Sequence, residues 1–204
     1  MALTAVLALA GCGTDSPPNR APSPATAPPT SAAPATTAAP TTPPIPVYKP
    51  ATANGPAQNV PVPVLPAKAK EFSKAGLEAF ATYWYSTLGY AYETGNTGPM
   101  MAVTDTGCTT CANVKKTVVA WHHEGRWIVG GQMKVISSDS KFVKTPENTY
   151  QAIVIIQQAQ VSFHEQPGTP YKQLPQRIAR PDIVVASYTD GHWVALKAEH
   201  LTRD

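Results

Sequence analysis

The stretch DIVVASYTDGHWVAL, residues 182–196, places two β-rich runs on either side of an Asp-Gly pair. Val, Ile, Tyr and Trp are enriched in strands. A two-residue type I′ turn needs positive φ at both central positions, and Asp-Gly adopts it readily. The stretch therefore predicts a β-hairpin whose turn is formed by Asp190 and Gly191.

Further β-rich segments lie upstream of this hairpin. Residues 132–135 alternate polar and apolar side chains, and residues 150–157 read YQAIVIIQ, a long run of strand-forming residues. The pair Gly130-Gly131 indicates a bend leading into a strand. We expect three or four antiparallel strands in this half of the chain.

Helical periodicity precedes the strands. Between residues 67 and 92 the apolar and small side chains recur at steps of three and four, and a Gly95-Asn96 pair follows. These positions are Phe72, Gly76, Ala79, Phe80, Tyr83, Trp84, Leu88 and Ala91. A second helix is predicted to start near residues 106–108, with Asp105 or Thr106 as its cap, and to end at Gly125.

The order of helices first and strands afterwards indicates an α+β fold. An antiparallel sheet with one solvated face must bury the other, and only the N-terminal helices are available to cover it. We therefore predict N-terminal helices packed on a curved antiparallel sheet of three to four strands. Residues 67–204 have the length of one globular domain with a single core.

The N-terminal residues are typical of an exported lipoprotein. MALTAVLALAGC, residues 1–12, contains an uncharged apolar run too short to span a bilayer. Its end, Leu9-Ala10-Gly11-Cys12, resembles the lipobox of bacterial lipoproteins, in which the cysteine thiol receives a diacylglycerol. No Lys or Arg precedes the apolar run, so we expect the natural start to lie upstream. The prediction is a signal peptide over 1–12 and a lipid anchor at Cys12, on the outer face of the cell membrane.

Residues 13–66 predict a disordered linker. They hold most of the 22 prolines of the chain, interleaved with Ala, Thr and Ser. Proline removes backbone donors, and the small side chains bury too little apolar area to offset the loss of chain entropy. The expected organisation is a lipid anchor, a stalk and a globular domain over 67–204.

The charge pattern excludes some partners. The formal net charge is +3 at pH 7, and no basic stripe interleaved with aromatic residues stands out, so nucleic acid is not an expected partner. We identify no phosphate-binding loop and no ligand set for a metal or cofactor, and none is expected. His164, in VSFHE (161–165), is the nearest candidate for acid/base chemistry, and a solvent-facing histidine at a strand end explains it equally well.

Three interpretations exist for the pair Cys108 and Cys111 in GCTTC. In an oxidising compartment, cysteines three apart at the first turn of a helix are close enough for a structural disulfide. The same spacing serves thiol oxidoreductases, because a helix N-terminus lowers the pKa of the first thiol. A metal site or free thiols are the third interpretation. Export and the preceding helix favour the structural disulfide.

The stretch GLEAFATYWYSTLGYAYETGNTGPM (76–100), then GCTTC (107–111) and GHWVALKAEHL (191–201), resembles an uncharacterised family of actinobacterial lipoprotein domains. The order of elements is similar to the cystatin-like or nuclear-transport-factor-2-like cone. The resemblance implies a fold and a location outside the cytoplasm, and it implies no reaction.

Two functional hypotheses follow. The first is a non-catalytic binding or interaction module that meets a cell-wall or envelope protein, or a small apolar ligand. The second is an enzyme: a small hydrolase or isomerase that uses the same cavity, or a thiol-disulfide protein that uses Cys108 and Cys111. Any ligand pocket is expected at the open end of the cone. The aromatic residues expected near it are Phe80, Tyr83, Trp84 and Tyr150.

Overall fold

The hairpin over residues 182–196 is present in the computed structural model, which describes residues 46–201. Strand β6 (Arg180–Thr189) pairs with β7 (His192–His200) in antiparallel register. Asp190 and Gly191 join them, with φ angles of 52° and 79°. Both central residues are left-handed, as a type I′ turn requires, so the hairpin prediction is confirmed.

A four-stranded antiparallel sheet is built on this hairpin, in the order β2-β3-β6-β7. It adds β2 (Met133–Asp139) and β3 (Tyr150–Gln158), which match the two β-rich segments seen in the sequence. Alternate residues of β3 and β6 are buried, because side chains point to opposite faces at successive positions. The buried side chains are Ala152, Val154, Ile156, Val184 and Ala186.

A second sheet of three strands was not predicted. It consists of β1 (Trp127–Gly130), β4 (Val161–His164) and β5 (Lys172–Leu174). A bend at Gly130-Gly131 separates β1 from β2, with φ near 79° at both glycines. A Cβ at Gly130 would lie 2.1 Å from the Gln160 carbonyl oxygen, so only glycine fits there.

The helices lie before the strands in the chain, as predicted. Helix α1 (Lys74–Thr94) starts where the Ser73 hydroxyl accepts the Gly76 N–H at 3.0 Å, and it ends at Gly95 with φ of 76°. The predicted start at residue 67 falls in a separate 3₁₀ turn (Ala67–Lys70). A short α2 (Gly98–Met101) precedes α3 (Thr109–His122), and a 3₁₀ turn (His123–Gly125) follows it.

Helices α1 and α3 contact the buried face of the four-stranded sheet, and the hydrophobic core lies between these layers. From α1 the core receives Leu77, Phe80, Ala81, Trp84 and Leu88. The α+β class and the packing of helices on an antiparallel sheet are therefore confirmed. Within residues 46–201, no helix combines the length and apolar character that a membrane crossing needs.

Residues 46–66, which we assigned to the linker, make specific contacts with the domain. The Tyr48 hydroxyl donates to Glu93 at 2.5 Å, which raises the pKa of Tyr48 to about 12. The Trp127 indole N–H donates to the Thr52 carbonyl at 2.8 Å. The proline content gives no sign of these contacts, because each depends on a single polar pair: Tyr48 with Glu93, and Thr52 with Trp127. Cys12, the signal peptide and the rest of the predicted linker lie outside the described residues.

Candidate functional site

A cavity of about 310 Å³ lies between α1, α3 and the buried face of the four-stranded sheet. The wall of this cavity is mainly apolar. Its apolar lining residues are Trp84, Leu88, Val114, Met133, Ile156 and Ala198, and polar groups are added by Tyr92, Thr110, Asn113 and Gln158. The volume is at the lower end of the range for small-molecule sites.

One end of the cavity, here called the mouth, carries polar side chains from the last two strands. Asp182 and His200 lie directly opposite each other on β6 and β7. Arg180 precedes Asp182 by two positions and shares its face, because side chains alternate along a strand. Arg177 and Ile178, both exposed, come from the segment before β6 and line the same cavity.

The buried carboxylate of Asp182 accepts hydrogen bonds from two side chains. Its side chain is 3% exposed. Oδ2 accepts from the Tyr85 hydroxyl at 2.6 Å, and Oδ1 accepts from His200 Nδ1 at 2.5 Å. Burial raises the pKa of the Tyr85 hydroxyl well above its usual value, and the hydrogen bond to Asp182 adds to this. Tyr85 therefore stays protonated and remains a donor to the carboxylate.

The contact between Arg180 and His200 defines the tautomer of the imidazole. Arg180 Nη2 lies at His200 Nε2. A guanidinium has only donors, so Nε2 accepts, and the ring proton sits on Nδ1, where it donates to Asp182. The result is an imidazole held between a carboxylate on one side and a guanidinium on the other. Such a group is able to anchor a polar ligand or, once uncovered, to take up a proton.

Of the four residues predicted near a pocket, the structure brings one to this cavity. Trp84 lines it. Phe80 is 1% exposed and packs in the core near Trp193, with ring centroids 6.5 Å apart. Tyr83 lies in a separate groove with the edge strand β2. Tyr150 stacks on Phe142 at 4.9 Å, in another part of the sheet.

The residues 46–199 match a family of unknown function, DUF6318. The chain belongs to the DUF6318 family. The matched range includes Trp84, Arg180 and Asp182 and ends immediately before His200. It also includes residues 46–66, in agreement with their contacts on the DUF6318 domain.

The solved structures that are similar to the chain include one of a chloroplast protein. The crystal structure of the intermembrane space region of the chloroplast protein ARC6 is similar to the DUF6318 chain at a TM-score of 0.44 and 10% sequence identity. The match covers 65% of this chain and 99% of that one. Among curated proteins, none matches the chain.

His164, the sequence candidate for acid/base chemistry, lies in β4 and does not line the cavity of the DUF6318 domain. It is 2% exposed, and its ring stacks on Trp127 with centroids 5.3 Å apart. The interpretation as a solvent-facing histidine is therefore wrong. Its Nδ1 is buried without a partner among residues 46–201.

The two cysteines of GCTTC form a disulfide at the start of α3. Their Cα atoms are 5.3 Å apart, and Cys108 is the capping residue of the helix. Both residues are buried, at 2% and 0% exposure. The cavity is lined by three other residues from the first turns of α3: Thr110, Asn113 and Val114. The disulfide thus ties the preceding loop to the part of α3 that forms one cavity wall.

We expect Cys108 and Cys111 to be bonded to each other in the protein purified without reductant. Alkylation in denaturant without reductant should leave both cysteines unlabelled, and alkylation in denaturant after reduction should label both. The Cys108→Ala, Cys111→Ala double variant should lose roughly 2 kcal/mol of unfolding free energy, the chain-entropy estimate for a short loop. Full labelling of both cysteines without reductant would contradict the structural disulfide.

Proposed function

We propose that the DUF6318 domain of this chain is a non-catalytic binding module whose cavity takes a small, mainly apolar molecule. The observation that carries the proposal is the cavity itself, which has an apolar wall and polar groups gathered at the mouth. Small-molecule sites usually combine an apolar lining with a few converging polar side chains. The polar groups at the mouth, Asp182, His200 and Arg180, contact one another, and Arg180 covers the imidazole nitrogen that a general base would use.

Location forms the second part of the proposal. Cys12 carries lipid, and the Pro/Ala/Thr linker holds the domain outside the cytoplasm, in an actinobacterial envelope. The lipobox-like Leu9-Ala10-Gly11-Cys12 supports this, and so does the cysteine pair, since disulfides persist in oxidising compartments. We expect intact-mass analysis of the membrane fraction to show a diacylglyceryl group on Cys12 as the first residue. A free thiol at Cys12 or an uncleaved N-terminus would refute the anchor.

The binding function is tested by filling the cavity. Ala198 lines the cavity from β7 and is 9% exposed, so Ala198→Phe places a ring inside it. In the full chain carrying Cys12→Ser, which takes no lipid, the neutral dye Nile red should bind. Ala198→Phe should weaken that binding by about tenfold or more. The new ring occupies apolar wall that the dye would otherwise cover, and the loss of that contact area costs at least about 1.4 kcal/mol of binding free energy.

The control for this experiment is Ala112→Phe, which adds the same ring at an exposed position of α3. Thermal unfolding of both variants establishes that they are folded, and Ala198→Leu replaces Ala198→Phe if the larger ring prevents folding. Equal dye binding by the filled variant, the control and the parent would overturn the cavity as the binding site.

A second candidate is a hydrolase or isomerase that uses His200 as a general base. The buried Asp182 favours it, because a carboxylate that orients an imidazole is a recurring arrangement in acid/base catalysis. The contact of Arg180 on His200 Nε2 opposes it, since that nitrogen would have to take up the proton. If turnover of a panel of acyl esters by the full chain disappears in His200→Gln, the enzyme is favoured over the module.

A thiol-disulfide function receives little support from the geometry. Exchange requires an accessible sulfur and a thiolate-stabilising surrounding. Cys108 and Cys111 are both buried. The disulfide is better suited to holding α3 in place.

A further inference from the structure

At the mouth of the cavity the carboxylates have polar or charged partners, whereas the guanidinium groups have no carboxylate partner among residues 46–201. Asp182 accepts hydrogen bonds from Tyr85 and His200. Glu199 also lines the cavity, and its Oε1 lies 3.5 Å from Nζ of Lys197, which does not line it. Both carboxylates of the mouth therefore have partners. Among residues 46–201, no carboxylate forms an ion pair with the two arginines of the mouth, Arg177 and Arg180.

We propose that the cavity binds a single acyl chain that ends in a carboxylate, with the carboxylate at Arg177 and Arg180 and the chain along Trp84, Leu88 and Ile156. This inference rests on the proposed binding function and names its ligand class. It is carried by charge complementarity between an anionic end group and the guanidinium groups at the rim of an apolar cavity.

Arginine suits a carboxylate better than it suits its present partner. A guanidinium presents paired N–H donors that match the two oxygens of a carboxylate, and bonds between ionised groups are roughly twice as strong as neutral ones. Arg180 now contacts only a ring nitrogen of His200, Nε2. Because the His200 side chain is 47% exposed, water can take over that nitrogen when Arg180 turns to a ligand.

The dimensions and the wall of the cavity restrict the other end of the ligand. A volume of about 310 Å³ accommodates one chain and leaves no space for a two-chain lipid. The wall side chains Trp84, Leu88 and Ile156 are each at most 6% exposed, and they offer no hydrogen-bond donor to a polar tail. The Trp84 N–H is already bound to the Thr104 hydroxyl at 2.9 Å. Along these three side chains the wall favours a hydrocarbon tail over a polar one.

The test compares three probes of equal chain length on the full chain carrying Cys12→Ser: decanoate, decanol and decyl phosphate, each displacing Nile red. Decanoate should bind about tenfold or more tightly than decanol, because charge-assisted hydrogen bonds are lost with the alcohol. In the Arg177→Gln, Arg180→Gln double variant the ratio between decanoate and decanol should fall to about one. The Lys115→Gln, Lys116→Gln variant removes the same charge from the exposed face of α3 and should keep the ratio.

The possible outcomes distinguish a failure of the ligand assignment from a failure of the proposed binding function. If decanol binds as tightly as decanoate, the carboxylate assignment is overturned and the apolar cavity remains. If Nile red binds and none of the three probes displaces it, the acyl-chain ligand is overturned. If Nile red itself does not bind, the proposed function fails first. Tighter binding of decyl phosphate than of decanoate would replace the carboxylate by a phosphate. Single Arg177→Gln and Arg180→Gln variants keep the test informative if the double variant unfolds.

Discussion

Replacing Trp84 by alanine is expected to lower the free energy of unfolding by about 3–5 kcal/mol, the usual cost of a large aromatic residue removed from a core. Trp84 is 2% exposed. Its ring packs edge-on against Tyr85 with centroids 5.1 Å apart, and its N–H donates to the Thr104 hydroxyl at 2.9 Å. Alanine loses the packing, the aromatic pair and that hydrogen bond together. Denaturant unfolding of the full chain with Cys12→Ser measures the change.

The control is Tyr83→Phe, one position away on the same helix. The Tyr83 side chain is half-buried, and its hydroxyl makes no hydrogen bond among residues 46–201, so we expect a change of less than about 0.5 kcal/mol. Trp84→Ala also enlarges the cavity, so a loss of stability with Nile red binding retained is the expected combination. A Trp84→Ala variant as stable as the parent would show that the core does not depend on this side chain.

The features of the fold that are local in sequence could be predicted. The Asp190-Gly191 turn depends on two residues and the runs beside them, and the periodicity of α1 depends on spacing alone. The second sheet was missed because β1, β4 and β5 are three or four residues long, too short for alternation to be recognised. The start of α1 was placed too early because the cap at Ser73 is a single side-chain contact.

The position of the cavity could not be predicted from the aromatic residues. A helical stripe indicates which side chains face inward, and it does not indicate how far along the sheet the packing is complete. Phe80 lies in the filled part of the core near Trp193, whereas Trp84, one turn later, lines the cavity together with residues of α3. The segment between α1 and α3 is fixed by a contact that is distant in sequence, the pairing of Thr104 with Ala195 of β7, and periodicity does not reveal such a contact.

One signal in the sequence could have identified the mouth. Asp182 has the same parity as Val184 and Ala186, so the alternation of β6 places a carboxylate on the buried face. A charged residue at an inward strand position needs partners, because an unpaired buried charge is costly. His200 has the parity of Ala198 on β7 and supplies one partner. The other partner, Tyr85, comes from α1 and depends on the packing of the helix on the sheet.

The contacts of Asp182 lead to the last prediction: Asp182→Ala should cost about 2–4 kcal/mol of unfolding free energy. The substitution leaves the Tyr85 hydroxyl buried without an acceptor, at about 1–3 kcal/mol, and a small void adds about 1 kcal/mol. His200 contributes less to the loss, because it is half exposed and water replaces Asp182 as the acceptor of its N–H. Asp182→Asn keeps the shape and one acceptor oxygen, so it should cost less than Asp182→Ala.

A double-mutant cycle with Tyr85→Phe separates this hydrogen bond from mere loss of volume. Tyr85→Phe alone takes one of two donors from the Asp182 carboxylate, and Asp182→Ala alone strands the Tyr85 hydroxyl. The double variant strands neither group, so its loss of stability should be smaller than the sum of the two single losses by about 1–2 kcal/mol. Strict additivity would mean that the 2.6 Å contact between Tyr85 and Asp182 contributes nothing. Asp182 would then stabilise the domain through His200 alone, and the mouth would be held by the two strands without the helix.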